Sequence, residues 1–107
     1  MIDGDFILID SNILIYAYDK DNLDKNTKAK EIMNLAWEKK KTFFISTQNL
    51  SEFFSIVTTK IKNPIEINIA SRIIKDISNF PNFVIINISV KDILKATNFV
   101  DKFKKIF

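Results

Sequence analysis

The sequence predicts an α/β fold, a doubly wound parallel sheet with helices on both faces, and three observations predict it. Short runs of β-branched and aromatic residues at 7–9, 42–45 and 83–86 alternate with longer segments of helical periodicity. The first of these runs is continuously apolar, which suits a strand buried on both faces of a parallel sheet better than a half-exposed hairpin strand. The order is strand, two helices, strand, two helices, strand, helix. Parallel neighbours need crossover connections, these are right-handed, and the crossing helices cover the sheet.

Taken in order, the apolar run 7–9 ends abruptly in Asp10, Ser11 and Asn12. Residues 13–18 are apolar nearly all round, which predicts a short buried helix, and the polar stretch 19–26 breaks it, with Asp19 and Asp21 as turn residues. A second helix over 27–40 puts Ala29, Ile32, Met33 and Ala36 on one face and lysines on the other, and Trp37 extends the buried face. After the second strand, Ser46 and Thr47 offer N-caps for a third helix, in which Leu50, Phe53, Phe54, Val57 and Ile61 define one core stripe. Pro64 opens a fourth helix where proline is tolerated. Ile65, Ile69, Ala70, Ile73, Ile74, Ile77 and Phe80 give its buried face, and Pro81 stops it. Beyond the third strand, Ser89 and Asp92 have the spacing of a capping box for a final helix, so Asp92 reads as a cap partner. That helix carries an apolar stripe of Ile93, Ala96, Val100, Phe103 and Phe107 to the last residue.

Composition excludes several chemistries. A chain of 107 residues, 47 % of them hydrophobic, makes one domain with enough apolar content for a real core. No stretch has the roughly 18 uncharged apolar residues of a membrane span, and the acidic start Met1-Ile2-Asp3-Gly4-Asp5 lacks the basic region of a secretory signal, so the expectation is a cytoplasmic protein with no membrane role. With no Cys there are no disulfides, thiol nucleophiles or thiolate metal sites. With no His, the Ser-His-Asp and Cys-His schemes are closed, acid–base work near neutrality falls to carboxylates or Lys, and metal-activated water is the natural nucleophile. The single glycine, Gly4, rules out a dinucleotide fingerprint and a phosphate-binding Walker loop. The net charge of +3, with pI ≈ 9.1, leans modestly toward phosphate-bearing partners. Its densest run, Lys39, Lys40 and Lys41, reads first as a solvated helix end.

Two readings of Asp10 stand side by side. It ends a strand where, in open α/β sheets, the ligand crevice opens, and it is also a preferred N-cap for the following helix. Glu52 lies off the core stripe of its helix, nearly opposite Leu50, where a site residue and an ordinary solvent glutamate are alike. Two doubly wound families fit poorly. A phosphate-accepting receiver domain wants paired acids after the first strand and an Asp after a later one, but Ser46 and Asn87 follow the other strands. A haloacid-dehalogenase-like phosphatase wants a second Asp two places after Asp10, and that place holds Asn12.

The stretches FILIDSNILIYAYD, from Phe6 to Asp19, and ISTQNLSEFF, from Ile45 to Phe54, together with the paired helices and third strand, resemble the PIN-domain ribonucleases, in particular the VapC-like toxins of toxin–antitoxin pairs. The resemblance covers essentially the whole chain. It implies that Asp10 and Glu52 are the first two catalytic acids and hold Mg²⁺ or Mn²⁺, with Ser11 and Asn12 as small polar residues beside the metal. It implies hydrolysis of RNA phosphodiester bonds, an antitoxin protein as partner, and a homodimer formed through helices carrying Phe53, Phe54, Ile73 and Ile74. Members of that family carry a third acid and usually a fourth beyond the helix that ends this sequence. The expectation is therefore a PIN-like domain incomplete at its C-terminus, with Ile7 and Ile9 on an open sheet edge and impaired activity. A catalytically inactive interaction module that binds an antitoxin or itself is the alternative.

Overall fold

The structure is a computed structural model of the chain that describes residues 6–87 and 103–106. It is α/β, with four helices in the described residues and a parallel sheet. The elements are β1 (Phe6–Ile9), α1 (Ser11–Tyr18), α2 (Leu23–Trp37), β2 (Phe43–Ser46), α3 (Thr47–Thr59), α4 (Ile67–Asn79), β3 (Phe83–Ile86) and β4 (Phe103–Ile106). The three expected strands form within a residue of their predicted bounds. They are ranked β3-β2-β1, with Leu8 opposite Phe44 and Phe43, Phe44, Ile45 and Ser46 opposite Phe83, Val84, Ile85 and Ile86.

The far side of β1 corrects the sequence reading. β4 pairs with it in parallel, Phe6 opposite Phe103 through Ile9 opposite Ile106, so the sheet order is β3-β2-β1-β4 and β1 is an interior strand. The expected open edge at Ile7 and Ile9 is not there, and Phe103 belongs to a strand instead of the end of a helix. The segment FKKI has apolar ends around two lysines, and lysine is a residue that edge strands carry against further pairing. Helical spacing of its phenylalanine with upstream residues was the misleading signal. The capping box at Ser89 and Asp92 and the stripe of Ile93, Ala96 and Val100 lie outside the described residues.

Helix bounds shift for identifiable reasons. α2 starts at Leu23, inside the expected turn, because Asn26 has a task on the helix: its buried Nδ2 donates to the carbonyls of Tyr16 and Ala17, 2.7 and 3.2 Å away. These are end carbonyls of α1 that have no partner within their own helix. Asp19 and Asp21 do form the intervening turn, with Asp19 Oδ1 accepting the Asp21 N–H at 3.2 Å. α2 ends at Trp37, and Lys39 takes a left-handed conformation, φ 60°, that allows the N–H groups of Lys40 and Lys41 to reach the Leu35 carbonyl at 2.8 and 2.9 Å. The lysine run therefore lies beyond the helix, exposed. α4 starts at Ile67 and not at Pro64: the Ile65 N–H bonds to the Val57 carbonyl at 2.8 Å, and Glu66, at φ −61° and ψ 146°, is still extended. Pro64 and Ile65 belong to the connection.

The core gathers Ile9, Ile13, Leu14, Phe43, Ile45 and Phe53, each at most 1 % exposed. Burying a side chain of this kind contributes about 1.5–3 kcal/mol. Trp37 stacks edge-on against Phe80 and Phe83 with ring centroids 4.8 Å away in each case, tying the end of α2 to the entry of β3. Phe53 meets Tyr18 edge-to-face at 5.5 Å and is fully buried. This removes Phe53 from the surface on which a second subunit was expected to sit; Phe54, Ile73 and Ile74 are half-buried against the same core. Ile69, expected on the buried face of α4, is 53 % exposed, leaving Ala70 and Ile77 as that helix's buried residues.

Candidate functional site at the carboxyl ends of the strands

β1 runs apolar to the fully buried Ile9, and the chain leaves the sheet at Asp10, still extended at φ −74° and ψ 153°, so that α1 begins at Ser11. Asp10 is the N-cap. Its Oδ1 accepts the Ser11 backbone N–H at 2.8 Å and, more weakly, the Ser11 hydroxyl at 3.4 Å. Of the two sequence readings of Asp10, capping is therefore realised. It does not exclude the other, since a carboxylate offers about four acceptor sites. The side chain is half-buried, and Ser11 is buried beneath it.

Polar residues just past the next two strands bind one another. Ser46, the last residue of β2, caps α3 by accepting the Asn49 N–H at 3.0 Å. The Asn49 side chain turns the other way and donates to the Ile9 carbonyl at 2.6 Å, on the peptide that enters Asp10. Thr47 Oγ1 donates to Asn87 Oδ1, 3.2 Å away, just past β3. The carboxyl ends of β1, β2 and β3 are thus laced together by side chains from the first turn of α3.

Glu52 is exposed on α3, three residues beyond Asn49, and its carboxylate has no hydrogen bond or ion pair among the described residues. Asn12 is exposed on the first turn of α1. Of the four residues singled out from sequence, then, Asp10 and Ser11 are in contact, and Glu52 stands on the helix that Asn49 fastens to the strand before Asp10. Asn12 faces solvent. Sequence reading missed Asn49. A signal was present: it precedes Phe53 by four residues and Val57 by eight, so a polar side chain interrupts the stripe that those fully buried residues define.

The strand order gives this end of the sheet its significance. The chain steps outward from β1 to β2 to β3 and then places β4 on the other side of β1. That reversal is a topological switch point, where open α/β sheets form their ligand crevice. Asp10 stands at the carboxyl end of the strand where it occurs. The carboxylates of Asp10 and Glu52 and the hydroxyls of Ser11 and Ser46 are hard oxygen donors, the kind that Mg²⁺ and Mn²⁺ take while keeping several waters. Among the described residues no group of three or more His, Cys, Asp or Glu side chains is placed to hold a metal ion.

A separate cavity of about 780 Å³ opens near the other end of α1, lined by Tyr18, Asp21, Lys30, Asn63, Ile65 and Ile69. Asn63 Nδ2 bridges its wall to both oxygens of Asp21, at 3.1 and 2.9 Å. Burial pushes the Tyr18 hydroxyl above its ordinary value of 10.0, and the negative charge of Asp76 adds to the shift. No described helix is long and apolar enough to cross a membrane. Compared with known proteins, the chain matches no protein-family model and none of the curated proteins.

Proposed function

We propose that the chain is a metal-dependent endoribonuclease of the PIN-domain class, a cytoplasmic toxin of the toxin–antitoxin type. The observation that carries the reading is Asp10, a half-buried carboxylate at the end of the interior strand β1, at the switch point of the sheet. When bound there, Mg²⁺ or Mn²⁺ would supply charge neutralisation for the phosphodiester and a more acidic water. Asp10 would hold the cation directly and Glu52 directly or through water, while the Ser11 N–H and hydroxyl keep Asp10 Oδ1 oriented. The scattered lysines draw RNA to the surface without reading its sequence.

The test is Mn²⁺ binding and Mn²⁺-dependent RNA cleavage by the wild type and by Asp10→Asn. Asparagine caps a helix as well as aspartate, so the variant keeps α1 while losing the charge. Mn²⁺ affinity should fall at least about tenfold and cleavage should stop. Equal affinity in the two proteins removes Asp10 from the site. Glu52→Gln should lose less, because water replaces a weak ligand.

A second reading, an interaction module that binds an antitoxin-like protein or a second copy without cleaving RNA, is favoured by Leu23, Ile67 and Ile69, large apolar residues 72, 63 and 53 % exposed. Retained Mn²⁺ binding with no cleavage would select it.

A further inference from the structure

Asn49 links α3, the helix that bears Glu52, to the strand that ends at Asp10. Its Nδ2 donates at 2.6 Å to the carbonyl of Ile9, across 40 residues of sequence, and the bond is partly buried. The acceptor is in the peptide group whose nitrogen belongs to Asp10. At the same time the Asn49 backbone N–H is held at 3.0 Å by Ser46 Oγ, so the donor cannot drift along the helix axis. Glu52 follows three residues later, about 4.5 Å further along α3. The bond therefore sets two things at once: the plane of the peptide that launches the Asp10 side chain, and the distance from β1 of the helix that carries Glu52.

We infer that Asn49 is a positioning residue, which holds the Asp10 carboxylate in register with Glu52 through the Ile9 carbonyl. The inference rests on the reading of Asp10 and Glu52 as cation ligands, and it extends that reading to a residue that itself touches no cation. Loss of the amide removes one hold on the Ile9–Asp10 peptide, and the Asp10 carboxylate, still bonded to Ser11, loses its fixed placement relative to Glu52. Groups that orient metal ligands in this indirect way are worth about 10–100-fold in metal affinity.

The test compares the wild type with Asn49→Leu and Asn49→Ala. Leucine is a better helix former than asparagine and has similar bulk, so at least this variant keeps α3 formed. Two measurements are made on each protein: Mn²⁺ affinity by titration, and backbone ¹⁵N order parameters at Asp10 and Ser11, with Ile77 as a buried reference. The expected result is a loss of at least about tenfold in Mn²⁺ affinity, with order parameters at Asp10 and Ser11 falling from roughly 0.85 toward 0.6 while Ile77 stays unchanged. A merely structural asparagine would lower the melting temperature and leave both readouts in the folded protein alone; that result overturns the inference. If the wild type binds no Mn²⁺, the nuclease reading fails by itself. The order parameters then decide: a drop confined to Asp10 and Ser11 sustains the positioning role, and no drop ends it.

Discussion

The buried side chain of Asn26, in α2, donates 2.7 Å to the backbone carbonyl of Tyr16, in the last turn of α1, and 3.2 Å to that of Ala17. α1 has no glycine to end it. The Asp19 N–H reaches the Tyr16 carbonyl at 3.3 Å, and the shorter bond to it and the bond to Ala17 come from the neighbouring helix, where Asn26 is 6 % exposed and shielded from water. Asn26→Leu should cost about 1–3 kcal/mol, because the Ala17 carbonyl loses this donor and the Tyr16 carbonyl keeps only the longer bond from the Asp19 N–H. Asn26→Asp should cost more, because a carboxylate has no proton to donate and faces two oxygens. A urea midpoint equal to that of wild type in both variants would show that the bond carries nothing.

Lys39 occupies, at φ 60°, the position after the helix end that glycine usually fills. A side chain in this region costs about 1–2 kcal/mol, and glycine gives back part of that through its freer unfolded state. Lys39→Gly should therefore stabilise the protein by about 0.5–1 kcal/mol, raising the melting temperature by roughly 2–4 °C. A decrease would mean that α2 does not end in a left-handed residue.

Phe53 and Ile67 make an opposed pair, the first fully buried and the second 63 % exposed. Phe53→Ala should destabilise by about 3–5 kcal/mol through lost burial and the cavity left behind. Ile67→Ser should stay within about 0.5 kcal/mol. Chemical denaturation of the two variants checks both values. Sedimentation adds a separate outcome: loss of self-association in Ile67→Ser at unchanged stability would mark α4 as a contact surface.

Tyr18 links stability to alkaline pH. Burial, helped by Asp76, raises its folded pKa above the unfolded value of 10.0, so the folded state keeps the proton when the unfolded state has lost it. The contribution is present in full below pH 10 and declines as pH rises above it through the folded pKa. Wild type should lose more stability than Tyr18→Phe on moving from neutral to strongly alkaline solution, as denaturation at each pH would show. Asp76→Asn should move the hydroxyl's titration back toward its ordinary value. Parallel pH profiles for wild type and Tyr18→Phe would contradict the placement of Tyr18.

Local chemistry by itself determined three strands, four helices, the N-cap at Ser46 and the turn at Asp19 and Asp21. Each rests on residues adjacent in the chain: apolar runs of β-formers, apolar stripes at helical spacing, and small oxygens beside unpaired N–H groups. The carboxylate at the end of β1 was legible for the same reason. What only the tertiary structure decided is whatever depends on a distant partner. Asn26 reads as a turn residue until the carbonyls of α1 are brought to it, and Asn49 as an ordinary helix residue until Ile9, 40 positions earlier, lies opposite. The segment from Phe103 to Ile106 is the sharpest case, since two apolar residues around two lysines suit a helix or a strand equally well. The unfilled hydrogen-bonding edge of β1 selects the strand. Pairing there turns β1 into an interior strand and makes Asp10 the end of a switch point, because backbone N–H and C=O groups in a buried strand must find partners on both sides.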